Sequence, residues 1–392
     1  MRVNEVETTR DERKPEICFV APNLTPLLFT KKGANIAGGA EFRQRILARA
    51  LIRQGFRVCL VTLDRGERLT ESAEGIRVFY SHSPEGGWPV IRFIHPRLTS
   101  WWRALRQADA DIYFQSTAGF LTLVVGCFCR WHGRRFLYSA AHDLDFQPRQ
   151  LWRIFQRRAG WRDRLLYQWG VRLAHAIVAQ HQGQVSDCLK WYKREPVEIP
   201  NCYDWPGGEP AKSDGVVLWV STIRKWKRPE LFLELARQLP HLRFRMIGGP
   251  GDYSELPLFE TIRAEASRIP NLAFVGFVPV DEVERHFDEA RVFVNTSDFE
   301  GFPNTFLQSW ARRIPTVSFI APCFRDGNQG IGVICRDLGE MKTALIELCE
   351  NDERWAAEGI KVREQFLKFH SVKAAVDSYT HLFDQLMQFQ RT

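Results

Sequence analysis

No apolar run in this 392-residue chain reaches the roughly 20 residues that a membrane-spanning helix needs. The longest, residues 120–129 (FLTLVVGCFC), reads instead as a helix buried in a core. The amino-terminal stretch VNEVETTRDERK is charged and has no apolar centre, which excludes a secretory signal; residues 1–15 read as a disordered leader. The nine cysteines show no metal-like pairing, with only Cys127 and Cys129 close together, so they read as reduced thiols of a cytoplasmic protein. Acidic residues are the scarcer charge, 46 against 54 lysines and arginines. The resulting net charge of +8 points to an anionic partner: nucleotide phosphates, a lipid surface or nucleic acid.

What is present is length enough for two domains, each with alternating strand and helix patterns. In the first half, residues 17–21 (ICFVA) form a buried strand, a helix opens at Gly38-Gly39-Ala40-Glu41, and Gly55 ends it before the strand 58–62 (VCLVT). Such a unit implies an α/β fold with parallel, doubly wound sheets. The Gly38-Gly39 pair suits a diphosphate cradle, and equally a plain helix start. Further strands fall at 75–80, 111–115, 135–139 and 176–179. Strand 135–139 runs into Ala140-Ala141-His142-Asp143. Ligands of doubly wound sheets sit beyond the carboxyl ends of strands, which makes His142 a candidate substrate contact. Residues 149–172 hold seven arginines against one acid, Asp163, interleaved with Trp152, Trp161 and Trp169. That mixture fits an anionic membrane surface, and it also fits a solvated basic helix with inward tryptophans. No nucleic-acid-binding module accompanies it, so nucleic acid is not expected as a partner.

A linker rich in Gly and Pro, residues 205–215, opens the second half. Strand 216–221 (VVLWVS) leads into Thr222-Ile223-Arg224-Lys225-Trp226-Lys227-Arg228, a cluster of cations before a helix and hence an anion trap. Strand 242–247 ends in Gly248-Gly249-Pro250-Gly251, a loop that admits close approach. Strand 290–295 (ARVFVN) is followed by Asp298-Phe299-Glu300-Gly301-Phe302-Pro303-Asn304-Thr305, then by Phe306, Leu307, Trp310 and Ala311 at helical spacing. Gly301 permits close backbone approach, and Pro303 and Asn304 suit the start of a helix. A carboxylate held in this loop, Glu300, could grip sugar hydroxyls or a developing cation.

The stretch EGFPNTFLQSWARRIPTVSF resembles the donor-site signature of the family 4 retaining glycosyltransferases. The resemblance implies the GT-B architecture: two facing Rossmann-like doubly wound domains, with a C-terminal helix crossing back to the first. It implies an acceptor-binding domain at 16–205, a nucleotide-sugar-binding domain at 206–370 and the returning helix at 371–392. The family signature is Glu, seven residues, Glu; here the first is Glu300 and the second position is Gln308. The family's second Glu is associated with the nucleotide ribose, where Gln can still donate and accept hydrogen bonds without charge. A glutamate restored at 308 is therefore expected to be tolerated.

The resemblance also places Lys227 on the donor diphosphate, with Arg224 reaching over because the family's Arg position is Thr222. Gly248, Gly249, Gly301, Phe302, Pro303, Asn304 and Thr305 fall around the donor, Gly38 and Gly39 across the cleft, and His142 near the transferred sugar. It implies hexosyl transfer with retention, with no metal and no cofactor beyond the UDP- or GDP-sugar substrate. The acceptor would be a glycan or lipid-linked glycan of polysaccharide or glycoconjugate synthesis, met in the cytoplasm or peripherally on the inner membrane face. Asp143-Leu144-Asp145 matches an Asp-x-Asp metal pattern, but its neighbour His142 marks it as an acceptor-side loop. Two other classes suit the architecture: an epimerase or phosphorylase-like enzyme, and a non-catalytic nucleotide-sugar-binding protein.

Overall fold

The computed structural model describes residues 14–24, 39–66, 75–84, 86, 93–151, 160–205, 207, 215–251, 253–300, 302–321 and 331–388. Most of the expected leader lies outside them, as do Gly38, Gly301, Trp152, Arg153, Arg157 and Arg158. In chain order the first half holds β1 (Glu16–Val20), α1 (Gly39–Arg53), β2 (Arg57–Thr62), β3 (Arg77–Tyr80), α2 (Thr99–Ala108), β4 (Ile112–Ser116) and α3 (Leu121–Trp131). It continues with β5 (Arg135–Ser139), α4 (Gly160–Leu173), β6 (Ala176–Ala179), α5 (Gln182–Tyr192) and β7 (Val197–Glu198). The second half holds β8 (Val216–Val220), α6 (Pro229–Gln238), β9 (Arg243–Ile247), α7 (Leu256–Ala266), β10 (Leu272–Gly276), α8 (Val280–Asp288) and β11 (Ala290–Asn295). Then come α9 (Asn304–Trp310), β12 (Thr316–Ser318), β13 (Val333–Ile334), α10 (Leu338–Glu350), α11 (Asp352–Gln365) and α12 (Val372–Gln388).

Among the described residues these strands make a seven-stranded sheet, β3-β2-β1-β4-β5-β6-β7, and a six-stranded one, β10-β9-β8-β11-β12-β13. Pairing is parallel, with Ile17 opposite both Val58 and Ile112, and Val217 opposite Phe244. Continuous apolar strands such as ICFV are what parallel sheets require, because helices cover both faces. All five residues of β1 and of β4 are buried. Each sheet reverses its strand order once, between β1 and β4 and between β8 and β11. At such a point the connections leave to opposite faces and open a crevice beyond the strand carboxyl ends. The two crevices define where a site can be built.

Two features tie the halves together. Val376, Tyr379, Phe383 and Leu386 of α12 share one helical face and join the first domain's core with Leu51, Phe56 and Phe114. Phe383 meets Phe56 edge-on at 5.9 Å, so the terminal helix does cross back. A further apolar cluster unites Ile46 of α1, the crossover residues Cys202 and Tyr203, and Phe302, Phe306 and Trp310 beyond β11. Some elements, helix α7 and strand β13 among them, have no counterpart in the sequence reading. Helix α2, with Trp101, Ala104, Leu105 and Ala108 buried, occupies a stretch where no helix is expected.

Candidate active site

The loop after β11 is organised from its first residue. Asn295 Oδ1 accepts the Ser297 N–H at 2.9 Å, and Ser297 Oγ donates to Glu300 Oε1 at 2.9 Å. Lys227, on the loop after β8, forms an ion pair with the same Glu300 oxygen. Both side chains are largely enclosed, 13% and 16% exposed, which strengthens their attraction relative to a surface pair. The loops are stitched along their length. Thr296 Oγ1 donates to the Lys227 carbonyl at 2.7 Å, the Asp298 N–H donates to the Trp226 carbonyl at 2.8 Å, and Arg228 pairs with Asp298 at 2.9 Å. Thus the reversal between β8 and β11 places a lysine and a carboxylate at one point.

Arg224 belongs to the same corner. Its guanidinium lies 4.9 Å from the Trp226 ring centre, and Trp226 stacks nearly parallel on Phe299. Among the described residues its buried Nε–H has no acceptor. The turn of Gly248, Gly249 and Gly251 packs against it: a Cβ on Gly248 would overlap the Ser221 carbonyl, and one on Gly251 would overlap Arg224 itself. At 248 the neighbour is backbone and glycine is required; at 251 a side chain would displace the guanidinium. An unfulfilled guanidinium donor over a close-approach turn, beside a lysine, suits a phosphate oxygen.

The remaining donor-side residues divide. Phe302 is buried and its ring packs, tilted by 33°, against His370 with centres 4.6 Å apart; Pro303 precedes α9, which Asn304 and Thr305 begin. Gln308 is buried, and its Nε2 donates to Glu284 Oε1 at 3.0 Å. Glu284 also holds Arg312 and the Tyr203 hydroxyl. A glutamate at 308, which the resemblance leads one to expect to be tolerated, would set two carboxylates at hydrogen-bond distance in a partly buried place. Gln308→Glu is expected to lower stability by about 1–3 kcal/mol, and Gln308→Ala less. Urea unfolding of the two variants checks this, and equal stability would show that the amide bears no weight.

On the opposite domain, His142 follows β5 as expected. Its Nδ1 accepts the Leu144 N–H at 3.0 Å, so in the neutral ring the proton sits on Nε2. The neighbouring carboxylates are committed within the fold. Asp143 accepts from His181 Nε2 at 2.7 Å and Gln184 at 3.0 Å, while Asp145 accepts the Ala141 and His142 N–H groups at 2.7 and 3.1 Å. Burial pushes the Asp143 carboxyl up, but the His181 hydrogen bond and charge outweigh it and leave it below the usual range. Buried Asp145 is raised instead, chiefly by desolvation. Among the described residues no cluster of His, Cys, Asp and Glu could hold a metal ion. Gly39 begins α1.

Sequence reasoning missed a linkage between the domains. Buried Arg43 of α1 donates to Ser116 Oγ at 3.0 Å, Ser139 Oγ at 3.1 Å and the Ala140 carbonyl at 3.0 Å, and to Asn201 Oδ1 at 2.9 Å. Asn201 Nδ2 in turn donates to the Phe302 carbonyl at 3.2 Å. The strand ends that carry His142 are therefore joined through one arginine and one amide to the loop that carries Glu300. His370 completes the clamp, its Nδ1 2.7 Å from the Asn201 carbonyl.

Burial holds His370 down at about 4 from an ordinary 6.5. Because the unfolded chain takes up the proton first, stability is retained above that ordinary value and lost as pH falls toward the folded one. The expected loss from this group is about 3 kcal/mol across the window. His370→Asn should flatten the dependence in part, since half-buried His175 is also held at about 4. Chemical unfolding at neutral and acid pH measures the slope, and an unchanged slope would remove His370 from the account.

Two facing doubly wound domains, with a Lys–Glu pair at one crevice and an ordered histidine at the strand ends of the other, define a two-domain transferase fold. Two family models match: glycosyl transferases group 1 over residues 214–351 and glycosyltransferase family 4 over residues 37–204. The chain belongs to the group 1, family 4 glycosyltransferases of GT-B architecture. Its fold is similar to that of sucrose-phosphate synthase from Thermosynechococcus elongatus, with TM-score 0.73 and 16% identity over 96% of this chain and 100% of that one. It is similar to Anabaena HepE solved with UDP and glucose, with TM-score 0.71 and 14% identity over 95% and 100%. It is also similar to a mutant of S. aureus TarM solved with fondaparinux, α-GlcNAc-glycerol and UDP, with TM-score 0.58 and 15% identity over 73% and 58%. No curated protein matches the chain in sequence.

Proposed function

We propose that this glycosyltransferase moves a hexose from a UDP- or GDP-sugar to a glycan or lipid-linked glycan, with retention and without a bound metal. The observation that carries the reading is the meeting of Lys227 and Glu300 beside the unfulfilled Arg224 guanidinium. When a donor binds, its diphosphate takes Lys227 and Arg224 as counter-charges, and these stabilise the leaving group in place of a metal. Glu300, released from the lysine, turns its charge to the sugar, where positive charge develops at the anomeric carbon. The bond from that carbon to the diphosphate breaks, a bond to the acceptor hydroxyl oxygen forms on the same face, and the hydroxyl proton passes to the departing diphosphate oxygen. Gly39, with Gly38, closes the donor phosphates from across the cleft, and His142 Nε2–H contacts the transferred sugar. The complexes of HepE and TarM with UDP support a nucleotide-sugar donor. We place the reaction in polysaccharide or glycoconjugate synthesis at the inner face of a membrane, with the basic segment 149–172 toward anionic lipid. Among the described residues no helix is long and apolar enough to cross a membrane.

The test is a panel of UDP- and GDP-sugars, read first by thermal stabilisation and then by product analysis. A specific donor should raise the melting temperature. With acceptor it should yield free nucleoside diphosphate and a lengthened glycan of unchanged anomeric configuration, undiminished by chelator. An epimerised donor, or binding without turnover, would instead establish one of the rival classes.

A further inference from the structure

Helix α4 presents an uninterrupted apolar stripe to solvent. Trp161, Leu165 and Trp169, spaced by four residues each and hence stacked along one face, are 68%, 45% and 67% exposed. The opposite face, with Tyr167, Gly170 and Val171, is buried. Helix α4 cannot roll to bury the tryptophans. A Cβ on Gly170 would overlap the Thr122 and Leu123 backbone of α3, and one on Gly126 would lie 2.8 Å from Leu173 Cβ. The helix is seated on α3 by backbone contact, and its indoles are fixed outward. The inward alternative is therefore closed for Trp161 and Trp169.

We infer that this stripe is a membrane-inserting face, whose occupant is the headgroup–acyl boundary of an anionic bilayer. Tryptophan at both ends of an apolar stripe is the pattern that settles at a bilayer interface. The charge is complementary: α4 carries Arg162, Arg164 and Arg172 against Asp163 alone, with Arg172 exposed beside the stripe, and the whole chain is +8. The area argues against a protein partner. Large aromatic side chains bury about 150–250 Å² each, so three residues fall short of the roughly 800 Å² per partner of a stable interface.

The topology gives the stripe a direction. Helices of a doubly wound sheet run antiparallel to its strands, so the start of α4 lies at the carboxyl ends, where His142 follows β5. Trp161 is thus nearest the acceptor crevice, and Trp169 lies about 12 Å further along the helix. A bilayer against the stripe runs beside the crevice mouth and delivers a lipid-linked acceptor to it. This inference rests on the proposed transferase reading for its acceptor, and deepens it by making apolar insertion, rather than charge alone, the means of attachment.

The experiment uses the full chain with vesicles of phosphatidylglycerol and phosphatidylcholine in equal parts. Wild type should co-sediment with them. Trp161→Ala with Trp169→Ala should weaken partitioning by about a hundredfold, roughly tenfold for each indole, and Trp161→Phe with Trp169→Phe should keep part of it. Raising salt from about 0.1 M to about 1 M, which collapses charge attraction, should weaken wild type much less than the double alanine change does. Melting temperature and its rise with nucleotide sugar show that the variants are folded. Equal binding by wild type and the double alanine variant overturns the inference, as does complete release of wild type by salt. So does a wild-type dimer that the double variant converts to monomer, because the stripe would then be a protein interface. If no nucleotide sugar stabilises any form while vesicle binding depends on the tryptophans, the transfer reading fails and this one stands.

Discussion

Lys227→Ala is expected to lower kcat by a factor of about 100 to 1,000, the cost of removing one preorganised group that stabilises charge in the transition state. The donor's dissociation constant should rise as well, because a charge-assisted contact to the diphosphate is lost. The variant carries a second effect. Without its lysine, Glu300 keeps only the Ser297 hydroxyl among its described partners, in a largely enclosed place. Removing one member of such a pair destabilises more than the pair itself contributes. A fall in melting temperature is expected beside the kinetic loss, so rates are compared only at temperatures where both proteins are folded. Unchanged turnover in folded Lys227→Ala would remove the lysine from the reaction.

Glu300→Ala should separate from it by kind. If the carboxylate acts on the sugar only as charge develops, kcat falls by about a hundredfold or more while the donor's dissociation constant barely moves. Glu300→Gln should keep the Ser297 hydrogen bond yet lose the charge, and is expected to be nearly as slow. The double variant Lys227→Ala with Glu300→Ala should lose less than the sum of the two, since the residues contact each other in the unliganded protein. Calorimetry of donor binding and single-turnover rates distinguish these outcomes. Full turnover in Glu300→Ala, with transfer confirmed by product analysis, would sink the assignment of the loop.

The readings that succeeded were local ones. Strand 290–295 lies where its sequence pattern does, bounded by a change from helical residues to a β-branched, aromatic run. Lys227 and Glu300 each announce themselves beside a strand end, so their meeting follows once the strands pair. What stayed hidden depends on distant partners. Arg43 and Asn201 are 158 residues apart, and Asn201 and Phe302 a further 101; no spacing rule spans such distances. Arg43 did leave a trace, for it stands one helical turn before Leu47 on the buried face of α1, a place where a cation needs partners. The hydrogen bond from Gln308 to Glu284, on another helix, has no such trace in the sequence. Helix α2 went unread because its start has no side-chain cap: Leu98 stands there, and no side chain accepts the first N–H groups. The direction of Trp161 and Trp169 was set by two glycines on different helices, contacts that composition does not reveal.

The return of α12 to the first domain has a consequence for how the chain is made. Synthesis runs from the amino end, so β1 to β7 leave the ribosome while the helix that covers Phe56 and Phe114 is still untranslated. An apolar groove on the first sheet stays open until the whole second domain has followed. Early folding of the amino-terminal half, the usual advantage of a two-domain chain, is therefore incomplete by construction, and a helix translated after the second domain seals the first core.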